Sequence, residues 1–419
     1  MISGAIERYM ALAGPRLKAL PGCLRQAEPS RFDNIVVAMS SGVDSSTCAA
    51  LYASYPNARA VYMRNWSNNQ LDDGPKHCDE QDWKDAQGVA QYLGIPLSMA
   101  NFEQEYWIDV FEKMLEGYTR GATPNPDVLC NRYVKFGSLR AMLDREMGHG
   151  NYWLVTGHYA RVLENQDTQR ELGNRDTQRE SLLRGLDPGK DQSYYLSQVT
   201  SGALNNTLLP LGHLYKSEVR DLAGSLAIPT ATKRDSQGIC FVNNSQGAGK
   251  FRDFLKEYLP ETPGNIITED GRVWAQHQGL WSHTLGQRVS GLSMPQGSPE
   301  YQGTWYVGEK RQETNELVIV RGRDNEKLYR DTALVQQFEP LGMTTSEFEK
   351  RVTAALERGS LLMRYRSLQE PALVAQCSVD GAQIQIVMSE PQRAMAVGQY
   401  CCLHDGDEIL GSGPISSTA

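Results

Sequence analysis

The sequence predicts an α/β chain in three parts: a parallel-sheet domain, a small mixed central domain and a C-terminal antiparallel β-barrel. Three observations carry that expectation. Over the first 160 residues, apolar strand-like runs alternate with helical periodicities across short connections, the pattern of a parallel sheet covered by helices. After about residue 300 the helical period fades and short β-rich runs, several separated by Gly and Asp turns, take over. Between these regions, residues from about 207 to 313 follow no single period.

The elements follow in chain order. Residues 1–32 carry Arg8, Arg16, Lys18, Arg25 and Arg31 against only Glu7 and Glu28, interleaved with Ile6, Met10, Leu12, Leu17 and Leu20. An organellar transit segment and a frayed N-terminal arm fit this composition equally. Asn34 to Met39 is a buried strand; a Ser/Gly turn leads to a helix from Asp44 to Tyr55, with Asp44 or a neighbouring Ser near its N-cap. Ala58 to Met63 is a second strand. Trp83, Ala86, Val89, Ala90 and Leu93 mark one helical face, and Trp107, Val110, Phe111, Met114, Leu115 and Tyr118 another. Two prolines stiffen the loop from Gly121 to Asn131 and are expected to keep it out of helix. Tyr152 to Thr156 is a further strand. Asp167-Thr-Gln-Arg-Glu171 recurs as Asp176-Thr-Gln-Arg-Glu180, a duplicated polar surface insertion too short to be a structural repeat. The late β-rich runs are Glu316 to Val320, Leu361 to Tyr365, Ala372 to Ala375, Gln383 to Met388 and Gln399 to Leu403. The expected boundaries are 1–33 for an N-terminal extension, 34–206 plus 229–246 for the catalytic domain, 207–313 without 229–246 for the central domain, and 314–419 for the barrel.

Composition narrows the class. The 419 residues hold 42 Lys and Arg against 50 Asp and Glu, a net charge of −8. Nonspecific coating of nucleic acid, which runs on phosphate neutralisation, does not suit that balance, although a local basic groove does. No apolar stretch is long enough to span a bilayer. The eight cysteines (23, 48, 78, 130, 240, 377, 401 and 402) are too sparse for a disulfide scaffold and show no zinc spacing, so most are reduced thiols and no metal cluster is expected.

The chemistry concentrates first in Ala38-Met39-Ser40-Ser41-Gly42-Val43-Asp44-Ser45-Ser46, between a strand and a helix. Small residues let backbone amides converge on an anion, hydroxyls add donors, and the helix N-terminus adds partial positive charge. No Gly-Lys-Ser/Thr follows at Walker spacing. The segment resembles the PP-loop of ATP pyrophosphatases of the adenine nucleotide alpha hydrolase-like class, whose usual form is Ser-Gly-Gly-x-Asp-Ser, with Ser41 standing where the first Gly is usual.

Further motifs follow in order: Thr123-Pro-Asn-Pro-Asp127-Val-Leu-Cys130-Asn, Thr156-Gly-His158-Tyr-Ala-Arg161, Gly189-Lys-Asp-Gln192-Ser-Tyr-Tyr-Leu196 and Asp235-Ser-Gln-Gly-Ile-Cys240-Phe. Phe251-Arg-Asp-Phe-Leu255, His283-Thr-Leu-Gly-Gln-Arg288, Arg364-Tyr-Arg366 and Leu410-Gly-Ser-Gly-Pro-Ile415 complete the set. Together they resemble the tRNA-specific 2-thiouridylase family, from residue 34 nearly to the C-terminus. The resemblance implies an enzyme that adenylates the 2-oxygen of the wobble uridine with ATP, expected with Mg²⁺, and replaces that oxygen by sulfur from a cysteine persulfide. By the same resemblance, Cys240 carries the persulfide, Cys130 is its partner in a transient disulfide, and Asp127 assists at the base or in proton transfer. Nucleotide contacts are implied for Ala38, Met39, Ser40, Ser41, Gly42, Val43, Asp44 and Ser45, and for Met63 and Gly157. Asn125, Pro126 and Asp127 are implied to meet the target base; His158, Lys190, Asp191, Gln192, Arg364, Tyr365 and Gln399 fall on motifs associated with tRNA contact.

The implied partners are a tRNA anticodon loop and a persulfide donor, a cysteine desulfurase or a relay protein, with no membrane. Modifying a ring atom requires that the base be extruded from its loop. Two rivals stay open. A PP-loop ligase acting on a small molecule would have no need of paired cysteines, and a noncatalytic RNA-binding module would release no pyrophosphate. The leader before the first strand and Val242-Asn-Asn-Ser245 suggest a mitochondrial member, with the cytoplasm as the alternative.

Overall fold

Every residue of the strand Ile35–Met39 is buried, so helices must cover both of its faces. The structure, a computed structural model, describes residues 4–20, 24–66, 78–165, 179–235, 248–292 and 299–419. In it Ile35–Met39 is the central strand of a five-stranded, all-parallel sheet ordered Leu97–Asn101, Ala58–Arg64, Ile35–Met39, Trp153–Val155, Thr207–Leu208. Side chains alternate between two cores: Ile35, Val37 and Met39 enter one, Val36 and Ala38 the other.

The first core is covered by the helices Ala5–Lys18, Val43–Tyr52, Cys78–Leu93 and Lys216–Ser225; the expected face of Ala86, Val89, Ala90 and Leu93 is buried there. The second takes Val110, Phe111, Met114 and Tyr118 from a helical run over 103–119, and Val128, Cys130, Val134 and Leu139 from another over 126–147. Each run contains a π-helical stretch, Trp107–Glu112 and Cys130–Ser138.

Four expectations are corrected. The Gly121 to Asn131 segment is helical from Pro126, because a proline at the first helical position gives up no needed hydrogen bond and Asn125 caps the turn. The helix after the Ser/Gly turn starts at Val43 with Gly42 as N-cap, and Asp44 lies in its first turn. Residues 5–18 are no frayed arm: Ala5, Tyr9 and Ala13 are buried against the sheet domain, and Arg16 makes a two-pronged ion pair with Glu218 at 2.8 Å. The boundary at 313/314 falls in the hairpin turn between the paired strands Trp305–Arg311 and Glu316–Arg321. These strands belong to one five-stranded sheet, ordered Val273–His277, Gly264–Thr268, Glu316–Arg321, Trp305–Arg311, Arg288–Val289, around Ile266, Val307, Leu317 and Ile319. The middle domain therefore runs to Arg321.

The C-terminal domain is a closed antiparallel barrel of six strands: Tyr329–Val335, Leu361–Arg364, Ala372–Asp380, Gln383–Arg393, Tyr400–Asp405 and Glu408–Thr418. A helix the sequence analysis did not expect, Thr345–Arg358, packs Phe348, Val352 and Ala355 into it. The last barrel strand also pairs with the hairpin Ala160–Asn165/Arg179–Arg184, at Glu408 and Leu183, so a sheet edge joins barrel and catalytic domain.

On that hairpin Glu164 and Glu180 face each other in register, both buried; Arg25 pairs with Glu164. Burial, and then the neighbouring Glu164, push the Glu180 carboxyl up to about 7. A folded-state value above the ordinary one means that stability is complete at low pH and is lost as pH rises from the ordinary carboxylate range through about 7. The loss amounts to about 3 kcal/mol at most. Glu180→Gln is expected to raise the melting temperature by a few degrees at pH 8 and to change it little at pH 5. Equal shifts at both pH values would contradict this assignment.

Candidate active site

The chain leaves the central strand toward Ala58–Arg64 on one side, whereas its neighbour on the other side, Trp153–Val155, leads on in the opposite direction to Thr207–Leu208. The carboxyl ends of strands at such a switch point form the crevice in which open α/β sheets bind ligands. Here the two strands run out into Ser40-Ser41-Gly42 and Thr156-Gly157-His158. Gly157 lies against the start of the helix Val43–Tyr52: a Cβ there would stand 3.0 Å from the Ser45 nitrogen and 3.1 Å from the Asp44 carbonyl carbon.

The loop is organised from within. The Ser40 amide donates to Ser45 Oγ at 3.1 Å, Ser45 Oγ donates to the Ser40 carbonyl at 2.9 Å, and the Gly42 amide donates to Ser40 Oγ at 3.3 Å. No side chain caps the helix, so its N-terminus fits an anion. Ala38, Met39 and Val43 are buried behind the loop, and Met63 is partly exposed at its strand end. Ser41, in the usual glycine position, turns its hydroxyl sideways: it donates to Asp82 at 2.7 Å and accepts from Lys233 Nζ at 2.7 Å. Lys233 also reaches Asp82 at 2.9 Å and Asp85 at 2.6 Å. Burial disfavours the ammonium, but the Asp85 and Asp82 hydrogen bonds outweigh it and raise the lysine pKa.

A second network lies behind Asp44, whose carboxylate accepts from Lys216 Nζ at 2.6 and 2.7 Å and from the Tyr159 hydroxyl at 2.7 Å. Lys216 continues to Asp235 at 3.0 Å, which is also paired with Lys190 at 2.7 Å and Arg220 at 2.5 Å. Burial pushes the Asp235 carboxyl up, yet the bonds from Lys190 and Lys216 hold it down at about 2. Cys240 lies in 236–247, outside the described residues; Asp235 and Lys233, just before it, are both fastened beside the loop.

Asp127 and Cys130 occupy successive turns of one helix. The Val128 amide donates to Asn125 Oδ1 at 3.4 Å, Pro126 is buried, and Cys130 is 6% exposed. Burial raises the Asp127 pKa, while Lys135 opposes the shift. Phe136 of the same run packs on the His158 ring at 5.9 Å, which brings this helix to the switch point. His158 is buried, bonded through Nδ1 to Thr156 Oγ1 at 2.7 Å; burial, then Lys135, lower its pKa and keep it neutral. The other described thiols suit packing: burial pushes Cys377 and Cys402 up to about 12 and about 11, and raises Cys48 and Cys401 well above the ordinary thiol range.

The structure corrects the direct tRNA contacts expected of several residues. Asp191 and Arg364 are 0% exposed and pair with each other at 2.5 Å, so neither presents a group to a docked RNA. Tyr365 is buried and donates to the Arg393 carbonyl at 3.0 Å. Gln192 is turned inward, accepting from the Tyr159 amide at 3.0 Å, whereas Gln399 donates to the Thr123 carbonyl at 2.7 Å and keeps partial exposure, which leaves its expected RNA contact uncorrected. These side chains hold the walls in place. Lys190 keeps partial exposure. Sequence reasoning missed Lys216, Lys233, Asp82 and Asp85, which sit in no shared motif; the charged run Lys233-Arg234-Asp235 immediately before the Cys240 motif was the one available signal.

Comparisons with known proteins bear on this arrangement. Family models match three consecutive stretches: a "tRNA methyl transferase HUP domain" at residues 33–244, a "tRNA methyl transferase PRC-barrel domain" at 252–321 and an "Aminomethyltransferase beta-barrel domain" at 342–415. The mitochondrial tRNA-specific 2-thiouridylase 1 of Saccharomyces cerevisiae is 53% identical over 98% of this chain and 98% of its own length. The tRNA-specific 2-thiouridylase MnmA of Acinetobacter baylyi is 38% identical over 92% of this chain and 97% of its own. Among solved structures, the NH3-dependent NAD synthetase of Campylobacter jejuni aligns at 14% identity with a TM-score of 0.29, over 57% of this chain and 79% of that one, a likeness too slight to carry an argument.

The Gly157 contact gives a direct test of the cradle. Gly157→Ala forces a methyl group onto the Ser45 amide, so the loop must shift; overpacking of that kind costs about 1–3 kcal/mol of stability, and the displaced amides are expected to weaken ATP binding. Calorimetric titration with ATP checks it; affinity unchanged from wild type would remove the loop from the nucleotide site.

Proposed function

The chain belongs to the tRNA-specific 2-thiouridylase family, and from that premise we propose how its residues carry out the reaction. It is a tRNA sulfurtransferase that forms 2-thiouridine in tRNA. The observation that carries the residue-level reading is the meeting of two parts at one sheet crevice. An uncapped anion loop and the Asp127 to Cys130 turn adjoin there, and the residues leading to Cys240 are bound to the loop through Lys233 and Asp235.

ATP binds with its phosphates at Ser40 to Ser45, with Ala38, Met39, Met63 and Gly157 shaping the wall. Mg²⁺ bound with it supplies charge neutralisation. The wobble uridine, position 34, enters beside Asn125, Pro126 and Asp127. Its 2-oxygen attacks the α-phosphorus and pyrophosphate leaves. The terminal sulfur of a Cys240 persulfide then attacks C2, and AMP departs with the oxygen. Attack of the Cys130 thiolate on Cys240 Sγ breaks the sulfur–sulfur bond to the base, leaving 2-thiouridine and a Cys130–Cys240 disulfide for an external thiol to reduce. The upward shift that burial gives the Asp127 carboxyl, against the opposing pull of Lys135, supports a proton-transfer role.

A persulfide donor protein, a desulfurase or a relay, recharges Cys240. The reading places the enzyme in mitochondria on the strength of the yeast relative's name. The N-terminal helix weakens the leader argument, because removing it would uncover Ala5, Tyr9 and Ala13's packing surface. Among the described residues no helix is long and apolar enough to cross a membrane.

Cys130→Ser and Cys240→Ser are each expected to abolish 2-thiouridine while leaving tRNA-dependent pyrophosphate release intact, and Asp127→Asn to slow thiolation by about 100-fold or more. Nucleoside mass spectrometry and a pyrophosphate assay check this. Thiolation persisting in either serine variant would defeat the two-cysteine scheme.

A further inference from the structure

Three sequence motifs take no part in the chemistry above: Phe251-Arg-Asp-Phe-Leu255, His283-Thr-Leu-Gly-Gln-Arg288, and the second arginine of Arg364-Tyr-Arg366. The fold brings all three to one cavity of about 540 Å³ where catalytic domain, middle domain and barrel meet. That volume lies within the roughly 300–1,000 Å³ of small-ligand sites. Its wall combines two kinds of group. Arg252 and Arg366 supply positive charge, and no carboxylate lines the cavity among the described residues. Arg252 makes no ion pair among the described residues, and its Nε is buried with no hydrogen-bond partner there; Arg366 donates to the Ala394 carbonyl and lies over the Tyr365 ring, with no ion pair among the described residues. Phe251 and Trp281 supply flat apolar surface, and Thr284 and Gln287 supply hydrogen-bonding groups.

Cations with no counter-ion among the described residues, set beside aromatic faces and a few polar groups, match a nucleotide, which offers a phosphate, a π-face and base edges. Thr123 forms part of the wall and lies two residues before Asn125, so the cavity adjoins the turn at which the target base is proposed to bind. We propose that the cavity binds a second nucleotide of the RNA, one flanking the target uridine, with its phosphate on Arg252 and Arg366 and its base against Phe251 and Trp281. This inference rests on the thiolation reading and extends it: the protein grips two successive nucleotides in separate pockets. It also accounts for how an acidic chain holds RNA, since the positive charge is concentrated where the strand must pass.

The test uses the full chain and an anticodon stem-loop RNA carrying a single abasic site on either side of the target uridine. With wild-type protein, one of the two abasic RNAs is expected to bind about tenfold more weakly than the intact RNA, the size of a lost base–aromatic stack. In Phe251→Ala that penalty disappears. Arg252→Gln and Arg366→Gln each reduce the slope of log affinity against log salt by about 0.7, whereas Arg252→Lys retains it. Thermal unfolding monitors the fold of each variant, and Arg252→Lys keeps the charge arm readable if Phe251→Ala is unstable. Equal abasic penalties in wild type and Phe251→Ala, or unchanged salt slopes in both glutamine variants, would overturn the proposal. Thiolation assayed on the intact RNA separates the two levels: 2-thiouridine formed by wild type leaves the enzymatic reading standing when the subsite fails, and its absence removes the premise of both.

Discussion

The architecture depends on one buried ion pair, Asp191 with Arg364, between a turn of the catalytic domain and a strand of the barrel. Both side chains are fully enclosed, and a charge left alone there would cost several kcal/mol, so each partner commits the other to its position. Asp191 also accepts from the Gly185 and Ser193 amides at 2.9 and 3.0 Å, and Arg364 donates to Ser193 Oγ at 2.7 Å. From this point the order propagates. The Tyr400 amide of the barrel donates to the Tyr194 hydroxyl at 3.1 Å, and the next residue, Tyr195, lies in the field of Asp127. His404, buried near Arg364 and Arg184, stays neutral because burial and then those two guanidiniums oppose its protonation. A third positive charge is thereby kept out of the joint.

The same logic governs the crevice. Lys190, Lys216, Arg220 and Lys233 are paired with Asp44, Asp82, Asp85 and Asp235, so the cations that surround the loop are already neutralised in the protein alone. A whole-chain charge of −8 says nothing of this, since it averages over pairs whose members are far apart in sequence. Lysines on a distant segment pair with the carboxylates on and beside the loop, and in doing so they fix the position of the segment approaching Cys240.

What the sequence made legible was short-range. Parallel strands, covering helices, the phosphate loop and the barrel all announce themselves through period and composition, because each is dictated by residues within a dozen positions. The helix Thr345–Arg358 was equally local, with a Thr344–Glu347 capping box and apolar residues at helical spacing, and was overlooked among the surrounding β-rich runs. The π-helical stretch from Cys130 has no known local signature, and neither has the docking of residues 5–18, which depends on a partner surface assembled from Val43–Tyr52, Pro210–His213 and Lys216–Ser225. Motif matching found Arg364 and Asp191 but not their role: it registers that residues matter, whereas burial decides whether they face a ligand or each other. Cys240 could be placed only in sequence.

The hairpin Ala160–Asn165/Arg179–Arg184 has a consequence for how this gene can change. Its register is fixed by six cross-strand pairs and by attachment to the barrel. Doubling the length of a flexible connection costs only about 0.6 kcal/mol. The tandem copy of Asp-Thr-Gln-Arg-Glu begins between the strands in sequence and ends on Glu180, one of the residues in the six cross-strand pairs. Because the register is set by pairs outside the repeat's first copy, a duplication in the sequence between the strands is a change that both domains can accommodate.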